Sequence, residues 1–502
     1  MDNLIKCYEK LRSKIKAYNY VLRTISWDSA TEAPKGCFEY RGKQVGIITE
    51  ELHKTITGEE YANCINSLYQ RIEDLEPVLA HEIIEAKKSL DRISKIPTYE
   101  FVEYQVLLSS SPEQWVKAKI SNNFELFRPT LEKIVDYQRR YVKYLETENI
   151  KSYDILLDNY EPGFTTKEYD KFFDLLKKDL VPFFKKVSKM NLDFDDSFDN
   201  LVYSHRQQKE FCEYLQDVLC FDRDRGLMKE SEHPFTSGVS TTDVRFTVHY
   251  HEDDFTSSIF SAIHEIGHAI YEQQVNPKLD GTFSGGGASI GMHESQSRLY
   301  ENMIGRSYEF WVKHYPKLQE IYPDQLRDVT VDDFHKLINK TEASFIRTEA
   351  DELSYPLHIM LRYDLEKGLI NGQYEVKDID KIWNDLFKQY FDLEVKEPSL
   401  GVLQDMHWAS GMFGYFPTYA LGSAYAAQIY HQMNKELDIK NIISSGNTKE
   451  INLWLKEKIH KYGSSLYPKE ILSLMTNEEF NPSYYVNYLK EKYMKLYGLK
   501  KD

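Results

Sequence analysis

The residues best suited in type and spacing to do chemistry are His264-Glu265-Ile266-Gly267-His268, inside the segment Ser257 to Val275. If that segment is a helix, about 100° per residue puts His264 and His268 one turn apart and about 40° apart around the axis, so two imidazoles can meet one metal ion. Glu265 lies about 60° from His268 by the same count, near enough to act beside the metal and badly placed to be a third ligand. Two histidines on zinc, with an adjacent carboxylate to take a proton from water, is the arrangement of metal-assisted peptide hydrolysis. A core helix with locally bonded histidines could carry the same pentapeptide. Ile259, Phe260, Ala262, Ile263, Ile266, Ala269 and Ile270 predict a buried helix with its histidine side open to a cavity, and unpaired charge there is costly.

Tetrahedral zinc with one open position needs a third protein ligand. Ser284-Gly285-Gly286-Gly287 predicts a permissive turn, followed by a second helix through His293-Glu294-Ser295 to about Met303. Glu294 is the best-placed third ligand, completing a His/His/Glu set, and His293 competes for the role. Upstream, His233-Pro234-Phe235 leads into Asp243 to Tyr250, which alternates as a strand. Asp243, Arg245, Thr247 and His249 share one face, and Val244, Phe246, Val248 and Tyr250 the other. Such a strand could lie along a cleft and pair with an extended peptide; the competing reading is an amphipathic edge strand with a surface Asp/Arg pair.

The elements that must position these residues are helical. From Met1 to about Ser188 the periodicity is helical almost throughout, with breaks at Ala33-Pro34-Lys35-Gly36, Ile96-Pro97, Ser110-Ser111-Pro112 and Glu161-Pro162-Gly163. His81-Glu82-Ile83-Ile84-Glu85 resembles the core motif but ends in glutamate, and its charged neighbours predict an exposed, structural helix. Asn191 to Asp199 reads as a loop, the segment after it to about Cys220 as helix, and Asn434 to Asp502 as helices and turns ending in a basic segment. The 502 residues contain no Pro/Gly/Ser-rich linker and no internal repeat. A net charge of −16 argues against a nucleic-acid binder, and runs such as Lys185 to Lys189 read as solvated helix faces. No apolar run reaches the length of a membrane span, and the charged amphipathic N-terminus lacks a signal-peptide core, so a cytoplasmic protein is expected. Cys7, Cys37, Cys64, Cys212 and Cys220 lack metal-type spacing and read as reduced thiols.

The ordered motifs resemble one family nearly end to end, the Taq-type thermostable metallocarboxypeptidases. They are HPF at His233 to Phe235, DxRxT at Asp243 to Thr247, HExxH at His264 to His268, HES at His293 to Ser295, IRxxAD at Ile346 to Asp351 and GxxQDxHW at Gly401 to Trp408. Trp27-Asp28 and Tyr160-Glu161-Pro162-Gly163 are weaker echoes, and Tyr300 stands where the family has tryptophan. The resemblance implies a mainly α fold, a single large helical domain over residues 1–502 with a long closed-end groove and a small β-sheet beside the HExxH helix. Residues 1–190 would cover the groove, and 230–430 would hold the metal site and substrate motifs. It further implies removal of single C-terminal residues from peptides with broad preference, one Zn²⁺ or Co²⁺ per chain, and a homodimer.

A carboxypeptidase must hold a terminal carboxylate, which an arginine can do with two parallel hydrogen bonds. By family similarity Arg347 is the first choice, within an expected mixed helix where pairing with Asp351 at i+4 is the competing reading; Arg245, neutralised by Asp243, is second. His407 is a candidate oxyanion donor, Gln404 and Asp405 candidates for substrate contacts or for supporting them, and His233 joins the substrate-binding set through its motif. Tyr419 is preferred to Tyr415 as a phenolic donor, although either could serve packing alone. Glu265 is the expected general base. An endo-acting helical oligopeptidase, or a silent peptide-binding scaffold, would share the cleft; intact His264, Glu265, His268 and Glu294 disfavour the second.

Overall fold

The computed structural model describes residues 1–500, and the last two residues of the basic tail lie outside the described ones. The chain opens with α1 (Asp2–Thr31), α2 (Phe38–Thr57), α3 (Glu59–Tyr69), α4 (Pro77–Lys95) and α5 (Thr98–Ile120). On α1, Tyr8, Leu11 and Ile15 recur at helical spacing and bury one stripe. That stripe packs with Tyr61, Ile65 and Leu68 of α3 and Ile83 of α4 into a small core separate from the main one. Phe283, from the glycine-rich turn far along the chain, packs against this small core.

The main core is built around α6 (Phe255–Gln274), whose start is fixed by Asp254, its side chain accepting from Ser257 N. Helix α6 lies on a three-stranded sheet of β1 (Gly226–Glu230), β2 (Thr236–Ser240) and β3 (Asp243–Val248) in the order β1-β3-β2. β3 runs parallel to β1 and antiparallel to β2, with an irregularity between Gly238 and Ser240. Val244, Phe246 and Val248 are buried, as the alternation predicts. The strand predicted as an edge is therefore the central one, both of its edges already hydrogen-bonded, and it cannot accept a peptide; β2 carries the edge that faces the cleft. Thr247, on the face expected to be polar, is also buried, and its hydroxyl accepts from Phe235 N and Ser231 Oγ.

Helix α7 (Ile290–Arg298) starts at Ser289, which caps Met292 N, and runs on as a wider π turn over Leu299–Gly305. It crosses α6 at Gly267, where an added Cβ would stand 2.9 Å from Ser297 Cα, and α8 (Pro417–Glu436) at Gly422, where it would stand 2.6 Å from Glu294 Cβ. Both crossings need glycine.

Three expectations need correction. Pro112 does not break α5, which runs unbroken from Thr98 to Ile120. Arg347 is not in a mixed helix but in a short 3₁₀ turn, and it pairs with Asp405 rather than Asp351, whose carboxylate accepts from Thr341 Oγ1 and Ser354 N. The His81–Glu85 segment is not an exposed face: Glu82 is 3% exposed and accepts from Arg12 Nη1 at 2.7 Å, from Tyr8 OH and from Phe283 N. It ties α1 and α4 to the glycine turn. Glu82→Ala should therefore cost about 3 kcal/mol in urea unfolding, the low end for breaking a buried pair, because it leaves the partly buried Arg12 cation without its close partner. Glu85→Ala, at a partly exposed pair, should stay within about 1 kcal/mol. Equal losses would contradict the buried tie.

Candidate metal centre

Glu265, His268 and Glu294 line a cleft of ≈ 1340 Å³, whose far wall includes Lys16, Tyr20 and Arg23 of α1. Among the described residues, His264, His268 and Glu294 are the one group able to hold a metal ion, with ligand atoms all within 4.8 Å of one another. Glu294 Oε2 stands 3.6 Å from His264 Nε2 and 3.5 Å from His268 Nε2. The other carboxylate oxygen, Oε1, accepts from Arg298 Nε at 2.7 Å, while Oε2 faces the imidazoles and also accepts from Ser297 Oγ at 3.2 Å. Burial disfavours the charge on Glu294, but Arg298 and His264 hold its carboxyl well below the usual carboxylate range.

Both imidazoles are oriented from behind. His264 Nδ1 donates to Glu301 Oε2 at 2.9 Å. His268 Nδ1 lies 2.6 Å from His293 Nδ1, and His293 Nε2 lies 2.7 Å from Glu272 Oε1. The proton assignment that suits metal binding has His293 donating to Glu272 through Nε2, accepting from His268 at Nδ1, and leaving the His268 Nε2 lone pair facing Glu294. His293 is thus a positioning partner and not a third ligand. Burial pushes His268 down to about 3 and keeps it neutral, as a ligand must be. Burial opposes ionisation of Glu301 as well, yet Arg298 beside it holds its carboxyl at about 2.

The donor set fits a divalent cation. Glu294 and Glu301 are both held ionised by Arg298, with Arg306 also beside Glu301, while Glu272 is bonded to His293 and Glu265 to Thr236, so two imidazoles and one carboxylate oxygen are left facing one another as ligands for a single ion. Glu265 stands outside the donor set. Its Oε2 accepts from Thr236 Oγ1 at 2.6 Å, and burial raises its carboxyl above the ordinary range.

The carboxylate-binding candidates separate. Arg347 is 8% exposed, donates through Nε and Nη2 to Asp405 Oδ1 at 3.0 and 2.9 Å, and keeps Nη1 at 3.3 Å from Tyr355 OH. Tyr419, whose ring is 5.2 Å from the Arg347 guanidinium, lines the cleft together with Tyr415; Arg347 does not. Asp405 also takes Arg362, and Gln404 spans Arg347 N, Arg362 and Phe345 O, so both fold the loop around Arg347. His407 lies 5.5 Å from Tyr415 ring to ring, and burial lowers it to about 4, so it is neutral. Arg245 is elsewhere: Asp243 binds it with two hydrogen bonds, it stacks on Trp27 at 5.8 Å, and it docks α1 against the sheet rather than facing the cleft. His233 is exposed and meets the site through no contact; its carbonyl accepts from Ser231.

Sequence reasoning missed Thr236, Glu272, Arg298 and Glu301. Glu272 follows His268 by four positions and Arg298 follows Glu294 by four, so helical spacing carried a signal for both. Thr236 reaches the site only through β2.

The family model described as Carboxypeptidase Taq (M32) metallopeptidase matches residues 7–493. Carboxypeptidase 1 of Bacillus subtilis is 40% identical over 500 residues, covering 99% of this chain and all of the relative. The crystal structure of the M32 carboxypeptidase from Deinococcus radiodurans superposes with a TM-score of 0.94 at 29% identity, covering 99% of this chain and 100% of that one. A Pyrococcus furiosus carboxypeptidase structure does so at 0.94 and 32% identity, covering 98% and 99%. Sharing fold, length and sequence with these enzymes, the chain belongs to the carboxypeptidase Taq (M32) metallopeptidase family and is a metallocarboxypeptidase.

Proposed function

We propose that this enzyme releases single residues, with broad preference, from peptides that have a free C-terminus. His264, His268 and Glu294 hold one zinc or cobalt ion per chain, and Glu265 is the general base. The observation that carries this reading is the convergence of two oriented imidazoles on one oxygen of Glu294, with the separate Glu265 carboxylate beside them. When bound, the ion supplies Lewis acidity toward water and toward a carbonyl oxygen.

The protein's own groups do the rest. Glu265, with one oxygen held by Thr236 and its basicity raised by burial, takes the proton of the attacking water and later delivers it to the leaving amine nitrogen. Tyr419, or the neutral His407 behind it, donates to the oxyanion that develops on the scissile carbonyl. Arg347 recognises the terminal carboxylate. Asp405 fixes its plane, and the Tyr419 ring between it and the cleft must shift as the peptide enters. The upstream chain runs along the free edge of β2.

Residues 1–190 act as the cover of one catalytic domain, since α1 supplies the far wall of the cleft, and residues 230–430 hold the metal and substrate motifs. Among the described residues no helix is long and apolar enough to cross a membrane, and all five cysteines are free. A cytoplasmic homodimer is the assignment that family resemblance supports.

Glu265→Gln should lower kcat by about 10²–10⁴ while metal content by elemental analysis stays at one ion per chain; near-normal turnover would remove Glu265 from the base role. Glu272→Gln removes the negative charge that fixes His293 while keeping an acceptor oxygen, and should weaken metal retention about 10–100-fold, read by competition with a chelator. Unchanged retention would reduce the Glu272–His293–His268 chain to ordinary packing.

A further inference from the structure

A second chamber of ≈ 390 Å³ opens beside the cleft. It shares Pro162, Phe283, Ala288 and Ser464 with the cleft wall, so the two spaces adjoin. Its opposite side comes from the N-terminal helices, through Ile56, Ala86 and Leu90, and from Leu466 near the C-terminus. None of Glu265, His268, Glu294, Tyr415 or Tyr419 borders it.

The carboxylates around the chamber and the lysine beside them already have partners. Glu82 is held by Arg12, Tyr8 and Phe283 N. Lys88 Nζ donates to Glu85 Oε1 at 2.7 Å and to Tyr467 OH at 2.8 Å, and the Tyr467 hydroxyl donates to Glu85. His81 packs edge-on against Tyr467 with centroids 4.8 Å apart. What remains for a ligand is mainly apolar surface, with the His81 imidazole and Tyr61 hydroxyl at its wall and no free charge to offer. A charged group entering it would lose water without gaining a partner, whereas an aliphatic or aromatic group would lose only unfavourable hydration. The volume suits one large side chain.

We propose that this chamber is a subsite for a bulky apolar side chain of the substrate, upstream of the bond that is cut. The inference rests on the C-terminal exopeptidase reading above. Such an enzyme leaves one residue beyond the scissile bond, and that residue lies toward Arg347 and His407, neither of which borders the chamber. A side chain in the chamber therefore belongs to the part of the peptide that is retained. Because α2 and α4 supply its wall, an occupied chamber also fastens the N-terminal helices to the substrate.

The test is a set of free-acid octapeptides in an alanine background, with one phenylalanine moved through each upstream position and kcat/KM measured for release of the same C-terminal residue. One position, or two adjacent ones, should gain roughly 10-fold over alanine through KM, and aspartate there should fall below alanine. Ser89 is exposed on the chamber wall, so Ser89→Trp fills the space without entering the core. This variant should flatten the positional preference and leave turnover of a blocked dipeptide unchanged, while Ser89→Ala keeps the preference. A flat profile in the wild type, or a preference that survives Ser89→Trp, overturns the subsite. Failure to release a terminal residue from any peptide is a distinct result: it overturns the exopeptidase reading, and the subsite with it.

Discussion

Glu294 occupies its position because the helices on either side of it present no side chain at the crossing. Helix α7 is pressed between α6 and α8, and the contacts at Gly267 and Gly422 leave no room for a methyl group against Ser297 Cα or the Glu294 side chain. A glycine in a helix interior costs about 1 kcal/mol relative to alanine. Here that cost sets the distance between the histidines of α6 and the carboxylate of α7, and with it whether three ligand atoms can share one ion. Gly305 does the same at the end of the π turn, where an added Cβ would stand 2.9 Å from Ile263 Cδ1.

The second constraint is electrostatic. Carboxylates buried this deeply are stable only against compensating charge, and Arg298 meets it twice, donating to Glu294 at 2.7 Å and to Glu301 at 3.2 Å. The π turn brings Glu301 back onto His264 although it belongs to the same helical run as Glu294. One arginine therefore steadies both a candidate ligand and the group that orients another ligand's imidazole.

Much of this was legible in the sequence because it is local. His264 and His268 are four residues apart, Glu294 stands on the next helix after a glycine turn, and period 3.6 is enough to predict their faces. What escaped was set by pairing across long separations. Asp405 claims Arg347 from 58 residues away, which is why Asp351 at i+4 never pairs with it. Glu82 is buried by a backbone N–H 201 residues downstream, and its charged neighbours in sequence gave the opposite impression. β3 looked like an edge strand because its alternation is amphipathic, but its polar face is covered by Trp27 on Arg245 and by the bonds that Thr247 accepts.

The central claim joins metal dependence to recognition of a free terminus, and one comparison addresses both. Two peptides of identical sequence, one with a free C-terminal carboxylate and one amidated, would be followed by mass spectrometry with metal-replete and with chelator-treated protein. A ladder of single-residue losses from the free-acid peptide alone, abolished by chelator, is the predicted result. Internal cuts in both peptides, or equal trimming of the amide, would contradict it.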